Sequence, residues 1–259
     1  DPRVKAVTLT GSEGAGAQVA AAAGENLKKS VLELGGSDPF IIMPSADFEK
    51  TLELAVKGRV QNNGQTCIAS KRYIIHADIY DEYKVALLEQ FKALKIGDPL
   101  DEDTDVGPLS SQQILEELDE QVKQSIDLGA ARVFGAEPIE SDGNYYQPGL
   151  LENIPKDSPA YKDELFGPVG LLFKVSSLEE AVDLANDTRF GLGSVICTQD
   201  EGEISYAMSE IDAGATFVNT IMASYPNVPF GGTKASGYGR ELAAEGIHEF
   251  CNLKTIYIA

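Results

Sequence analysis

No tryptophan occurs among the 259 residues, and histidine occurs only twice, as His76 and His248. Neither falls in a pattern with carboxylates or cysteines, so no metal site is expected. Cysteine is scarce as well. Cys67, Cys197 and Cys251 are odd in number and widely spaced, which suits neither a disulfide framework nor a zinc site, and reduced thiols are the simplest reading. Basic residues number 21 against 41 acidic ones, and the resulting charge of −20 argues against a nucleic-acid backbone or an anionic lipid surface as partner. Long apolar runs are missing too: Pro39–Met43 and Val169–Phe173 fall far short of a membrane span. With no signal peptide before the first strand, the cytoplasm is the expected location.

What is present is the composition of a globular enzyme, 43% hydrophobic and so able to bury one or two cores. Val4–Thr10 reads as a buried strand, followed by the turn Gly11-Ser12-Glu13-Gly14-Ala15-Gly16 and an alanine-rich helix from about Ala17 to Asn26. Strands are expected at 30–34, 39–43, 71–76, 169–175, 193–197 and 215–219. Helices are expected at 48–61, 79–94, 110–128, 178–187 and 202–211. The alternation predicts an α/β fold with a largely parallel sheet. Leu253–Ile258 reads as a final strand, which either joins its own sheet or pairs with a neighbouring chain. The chain opens in mid-domain and without an initiating methionine, so further residues upstream are expected.

Chemistry concentrates around Cys67, which closes the polar run Asn62-Asn63-Gly64-Gln65-Thr66 and lies 34 positions after Glu33 of Glu33-Leu34-Gly35-Gly36. The pair looks like a nucleophile and its base. A thiol attacks only as thiolate and so needs an electropositive, partly exposed setting, which the Asn-Asn-Gly-Gln turn could supply through backbone N–H groups at a helix start. Glu33 sits between Leu32 and Leu34, where a carboxylate is costly to bury without a purpose. The turn at Gly11-Ser12 would expose N–H groups suited to a phosphate, although glycines after a strand often do no more than turn the chain. Cys197 and Cys251 read as ordinary buried cysteines.

Two further motifs, Glu164-Leu165-Phe166-Gly167-Pro168 and Asn219 followed by Pro229-Phe230-Gly231-Gly232, complete an ordered series with Thr10-Gly11-Ser12, the Glu33 motif and the Cys67 motif. The series resembles the aldehyde dehydrogenase superfamily over essentially the whole chain. That resemblance implies an aldehyde substrate, NAD or NADP as cofactor and a homo-oligomer, dimer or tetramer. Cys67 then matches the nucleophile and Glu33 the base that activates water. Gly11 and Ser12 match the phosphate contact, and Leu34 and Gly35 the backbone flanking the nicotinamide. Glu164 matches the carboxylate on the nicotinamide-side ribose, and Phe166 the aromatic beside the ring. Asn219, Ser224 and Phe230 match residues near the aldehyde tunnel.

The resemblance also implies a division into the end of a dinucleotide-binding domain (1–35), a catalytic domain (36–235), a return to the cofactor domain (236–247) and an oligomerisation strand (248–259). A second oxyanion donor, an asparagine, is implied upstream of these residues, and so is little or no turnover by this piece alone. Within the family, Asn62–Tyr73, Asp98-Pro99-Leu100 and Gly237–Glu241 look most similar to bacterial succinate-semialdehyde dehydrogenases. Gln61 stands where mammalian-type members carry an arginine, which leaves Ser224 and groups upstream of these residues as candidates for a distal carboxylate. Ala69 stands where others carry a second, redox-active cysteine. Three other readings stay open: an acylating enzyme that passes its thioester to coenzyme A, a noncatalytic assembly subunit, and a cysteine hydrolase. Glu33 opposes the first, and the lack of a suitable histidine opposes the last.

Overall fold

Branched apolar runs of five to seven residues alternate with capped helices, and the chain follows that alternation into two main sheets and two short two-stranded pairs. The computed structural model describes residues Asp1–Ala259. The first half runs β1 (Ala6–Thr10), α1 (Glu13–Glu25), β2 (Lys29–Glu33), β3 (Asp38–Ile42), α2 (Phe48–Val60), β4 (Ser70–His76), α3 (Ala77–Ala93) and α4 (Gln112–Asp127). Short strands follow at β5 (Ala131–Phe134), β6 (Glu137–Pro138), β7 (Tyr146–Gln147) and β8 (Gly149–Glu152), then α5 (Pro159–Lys162) and β9 (Val169–Val175). The last part holds α6 (Leu178–Asn186), β10 (Phe190–Gly191), β11 (Gly193–Cys197), α7 (Glu201–Glu210), β12 (Ala215–Val218), β13 (Thr233–Lys234), β14 (Gly237–Tyr238) and α8 (Ala243–Glu249).

The larger sheet has seven strands in the order β12-β11-β3-β4-β9-β8-β5. All its pairings are parallel except β5 against β8, so the expected parallel α/β fold is what forms. Its centre is buried on both faces, as a parallel sheet wrapped by crossover helices requires. Phe40, Ile42, Tyr73 and Ile75 project into one apolar cluster with α2 and α3, while Ile41 and Ile74 project into another with α6 and α7. Each such side chain, taken fully out of water, contributes about 1.5–3 kcal/mol. The smaller sheet sets β2 between parallel β1 and antiparallel β14. No helix is long and apolar enough to cross a membrane.

Helix starts follow side-chain caps. Ser12, Asp47, Ser111, Ser177 and Asp200 each accept a first-turn backbone N–H. That rule corrects the start of α1. The helix begins at Glu13, about four residues before the expected point, because Ser12 caps it and Gly14 and Gly16 lie within it. Gly16 is there for packing, since a Cβ at that position would come within 2.6 Å of Leu34 Cδ2. The four-residue β5 and β8, the short β14 and the seven-residue α8 carry too little periodicity to be read from sequence. Leu253–Ile258 pairs with no strand of its own chain, and Leu253, Ile256, Tyr257 and Ile258 are largely exposed.

Candidate active site

Strands β3, β4 and β9 are neighbours in the larger sheet, so the three segments that lead into them converge at one edge. These are Leu34–Ser37, Asn62–Ala69 and Glu164–Pro168, and the C-terminal ends of β1 and β2 face the same place. A cavity of about 630 Å³ opens there, lined among others by Gly11, Ser12, Leu34, Gly35, Cys67, Glu164 and Phe166. Seven of the sequence-named residues are thus gathered around one space. Asn62, Gln65, Thr66, and Ile114 and Glu117 of α4 complete much of the rest.

The turn before Cys67 is held by its own side chains. Asn62 and Asn63 take left-handed backbone angles, φ 53° and 56°, which asparagine tolerates better than most residues. Asn62 Nδ2 donates to the Gln65 carbonyl at 2.9 Å, Asn63 Nδ2 donates to the Pro108 carbonyl at 3.0 Å, and Gly107 N–H donates to Asn63 Oδ1 at 2.8 Å. Gly64, at φ 74°, admits no side chain, because a Cβ would stand 2.5 Å from the Gly167 backbone. On the other side Gly36 does the same: a Cβ there would lie 2.6 Å from the Cys67 carbonyl oxygen. Cys67 follows this turn on the way into β4, so the setting at a helix start expected from sequence is absent.

A buried lysine provides the positive charge instead. Lys71 Nζ donates to the carbonyls of Cys67 and Thr66 at 2.8 and 3.0 Å and sits 2.9 Å from Glu164 Oε1. Burial pushes the Cys67 thiol up to about 11, while Lys71 and the Ile68 N–H pull it down and Asp38 and Glu164 oppose them. The Cys67 N–H donates to no backbone carbonyl of the chain and remains available to an oxyanion. Arg59 ties the same loops together from below, with Nη2 donating to the carbonyls of Gly64 and Gly167. Arg72, on the opposite face of β4, donates to the carbonyls of Ser37, Leu184 and Ala185. These three buried cations were not named from sequence as parts of the site. The signal was there: Lys71-Arg72 opens an otherwise apolar strand, and charges are buried only when partnered.

The other named residues stand outside the cavity lining. Glu33, only 2% exposed, has both carboxylate oxygens without a hydrogen-bond partner. It lies against Gly231, where a Cβ would come 2.7 Å from Glu33 Oε1. Burial raises its carboxyl to about 8, Glu241 adds to the rise and Arg240 opposes it. Asn219 spends its side chain on the Thr198 backbone, accepting its N–H at 3.1 Å and donating to its carbonyl at 2.9 Å. Ser224 is exposed on the loop that follows, and Phe230 packs on the main core and exchanges two backbone hydrogen bonds with Glu241.

The residues present suit a dinucleotide. Gly11 and Ser12, immediately before the start of α1, line the cavity, the Glu164 carboxylate can accept from a ribose diol, and Phe166 offers a ring. No group of three or more His, Cys, Asp and Glu is placed to hold a metal ion.

Comparison with known proteins places the chain among relatives. The chain is 52% identical over 258 residues to "Succinate-semialdehyde dehydrogenase [NADP(+)] 1" of Mycobacterium ulcerans, covering all of this chain and 56% of that protein. The Mycobacterium tuberculosis protein of the same name is also 52% identical, over 259 residues and 57% of its length. Among solved structures, succinic semialdehyde dehydrogenase from Streptococcus pyogenes with NADP+ superposes at TM-score 0.96 and 44% identity, covering all of this chain and 57% of that one. Betaine aldehyde dehydrogenase from Staphylococcus aureus with NAD+ superposes at 0.92 and 30% identity, over 95% and 50% of the two chains. The chain thus spans little more than half the length of these relatives. Residues 1–256 match the family described as "Aldehyde dehydrogenase family", and the chain belongs to that family.

Proposed function

We propose that this chain carries the catalytic centre of an enzyme that oxidises succinate semialdehyde to its acid, with NADP+ or NAD+ as hydride acceptor. The observation that carries the reading is the single cavity in which Cys67 meets Gly11, Ser12, Glu164 and Phe166. The substrate, and NADP+ before NAD+, follow from the names of the relatives at 52% identity.

Gly11, Ser12 and the start of α1 would hold the phosphates, Glu164 the ribose hydroxyls, and Phe166 with Leu34 and Gly35 the ring. Once bound, the nicotinamide supplies an acceptor for hydride. Cys67 thiolate adds to the aldehyde carbon, and the resulting oxyanion takes a hydrogen bond from the free Cys67 N–H. Loss of hydride from that carbon leaves a thioester on Cys67. Glu33 then removes a proton from water, which attacks the thioester carbonyl and releases the acid and the free thiol. For this step the Glu33 side chain turns from Gly231 towards the cavity. Ser224, with its hydroxyl exposed, is the proposed partner of the distal carboxylate, while Asn219 and Phe230 shape the loop that carries it.

The same proposal includes a homo-oligomer that covers the exposed Leu253–Ile258 strip, and a cytoplasmic location consistent with three free cysteines. Because little or no turnover is expected of these 259 residues alone, its test takes them within the longer parent protein: incubate with succinate semialdehyde and NADP+, quench, and map the peptides by mass spectrometry. A succinyl adduct on the Cys67 peptide is expected. Reduced cofactor with no acyl mass on Cys67 would sink the mechanism, and release of a coenzyme A thioester in place of the free acid would replace hydrolysis by acyl transfer.

A further inference from the structure

Lys71 has no route to solvent. Its side chain is 1% exposed; it donates hydrogen bonds to the carbonyls of Thr66 and Cys67 and forms an ion pair with Oε1 of Glu164, which accepts no hydrogen bond. Two of these belong to the nucleophile's turn, and the third belongs to a carboxylate whose other oxygen borders Gly35 at the cavity wall. One ammonium therefore touches both halves of the site. It reaches them because β4 lies between β3 and β9, and because residue alternation along β4 sends Lys71 to the site while Arg72 turns to Ser37 and α6.

We propose that Lys71 is a positioning residue that divides its charge between Glu164 and the Cys67 turn, so that a ligand engaging Glu164 leaves more positive charge for the thiolate. The link to a cofactor rests on the dehydrogenase reading; the division of charge does not. The charged groups around Cys67 are few enough to follow. Lys71 enters from β4, Glu164 from the segment before β9 and Asp38 from the start of β3, the two carboxylates opposing the thiolate and the lysine favouring it. Arg59 of α2 acts electrostatically on Glu164 and Asp38, and Arg72 on Asp38. A lysine that only filled space would impose no sign on this set. A shared charge does: removing Lys71 must disfavour the thiolate, and removing the charge of Glu164 must favour it.

The test reads thiolate directly, without aldehyde or cofactor. Iodoacetamide alkylation of the 259-residue chain is followed by peptide mass spectrometry between about pH 7 and 10, with the exposed Cys251 as reference in the same digest. Lys71→Met is expected to lower the Cys67 to Cys251 rate ratio about tenfold, the change that one unit of pKa produces. Glu164→Gln is expected to raise the ratio about threefold, and Lys71→Arg to hold it within about threefold of the starting chain. An unchanged or lowered ratio in Glu164→Gln overturns the proposal, as does an unchanged ratio in Lys71→Met. If Lys71→Met does not fold, Glu164→Gln decides alone. Failure of the dehydrogenase reading would appear in the acyl-adduct experiment and leave these ratios untouched.

Discussion

Cys67 and Cys197 occupy the two ends of one sheet and show what a cysteine needs around it. Cys197 ends β11, is fully buried in the main core, and burial pushes its thiol up to about 12 with only a hydrogen bond from Thr51 and the charge of Lys50 to oppose it. Cys67 is also pushed up by burial, yet it borders a cavity and the Lys71 ammonium of β4 is bound to the carbonyls of its turn. The difference lies in the approach to the strand. At the edge where β3, β4 and β9 begin, glycines and left-handed asparagines let three loops close on one another, and buried cations bind the carbonyls left over. At the end of β11 the Cys197 carbonyl is bound by the Met43 N–H, and nothing opens.

The comparison breaks first at the two sulfurs. Cys67→Ala should lower turnover by ~10⁴-fold or more, the scale of losing a covalent nucleophile. A steady-state assay with succinate semialdehyde that found less than a tenfold loss would end the assignment. Glu33→Gln should slow thioester hydrolysis by ~10²–10⁴-fold while leaving acylation of Cys67 in place. In the starting protein that hydrolysis should climb with pH as the raised Glu33 carboxyl ionises, since only the ionised carboxylate accepts a proton; rapid-quench measurement across pH checks it, and a flat profile would remove Glu33 as the base. The same raised carboxyl costs stability as pH rises. The folded form holds the proton up to about 8, whereas the unfolded chain releases it from about 4.5. The Tm of Glu33→Gln should therefore match the starting protein near the lower of these values and exceed it above the higher one.

Smaller effects sharpen the contrast. Gly36→Ala puts a Cβ 2.6 Å from the Cys67 carbonyl oxygen, and a shift of that turn by about 1 Å should cost ~10²-fold in kcat with the fold retained by circular dichroism. Cys197→Ala should leave turnover within about twofold and lower stability by about 1 kcal/mol through the small void it leaves, measurable by urea unfolding. A larger loss of activity there would mean the two thiols are not as separate as their surroundings indicate.

Much of the fold could be read from periodicity because the long elements are consistent at every level. Val169–Val175 and Gly193–Cys197 form over the expected residues, and α2, α3 and α4 shift at their ends by one or two. The site was legible in part. Its lining residues sit in glycine-marked loops, where polar side chains near turns stand out. Lys71, Arg59 and the close approach at Gly36 did not stand out, because each also joins loops that only the fold brings together: Arg59 meets Gly167 across 108 positions, Lys71 pairs with Glu164, and Gly36 abuts the Cys67 carbonyl. Glu33 was read as a residue of the site, but its contacts at Gly231 and its coupling to Arg240 and Glu241 come from a segment some two hundred positions away.

By itself the sequence determined the parallel α/β plan and the family resemblance, and it singled out Cys67 as the candidate among three thiols, because hydrophobic period, turn chemistry and flanking residues are local properties. Only the tertiary structure decided which loops meet, what charge faces the sulfur and where the Glu33 carboxylate rests. Those follow from strand order, and strand order is set by the burial of both sheet faces, to which distant segments contribute together.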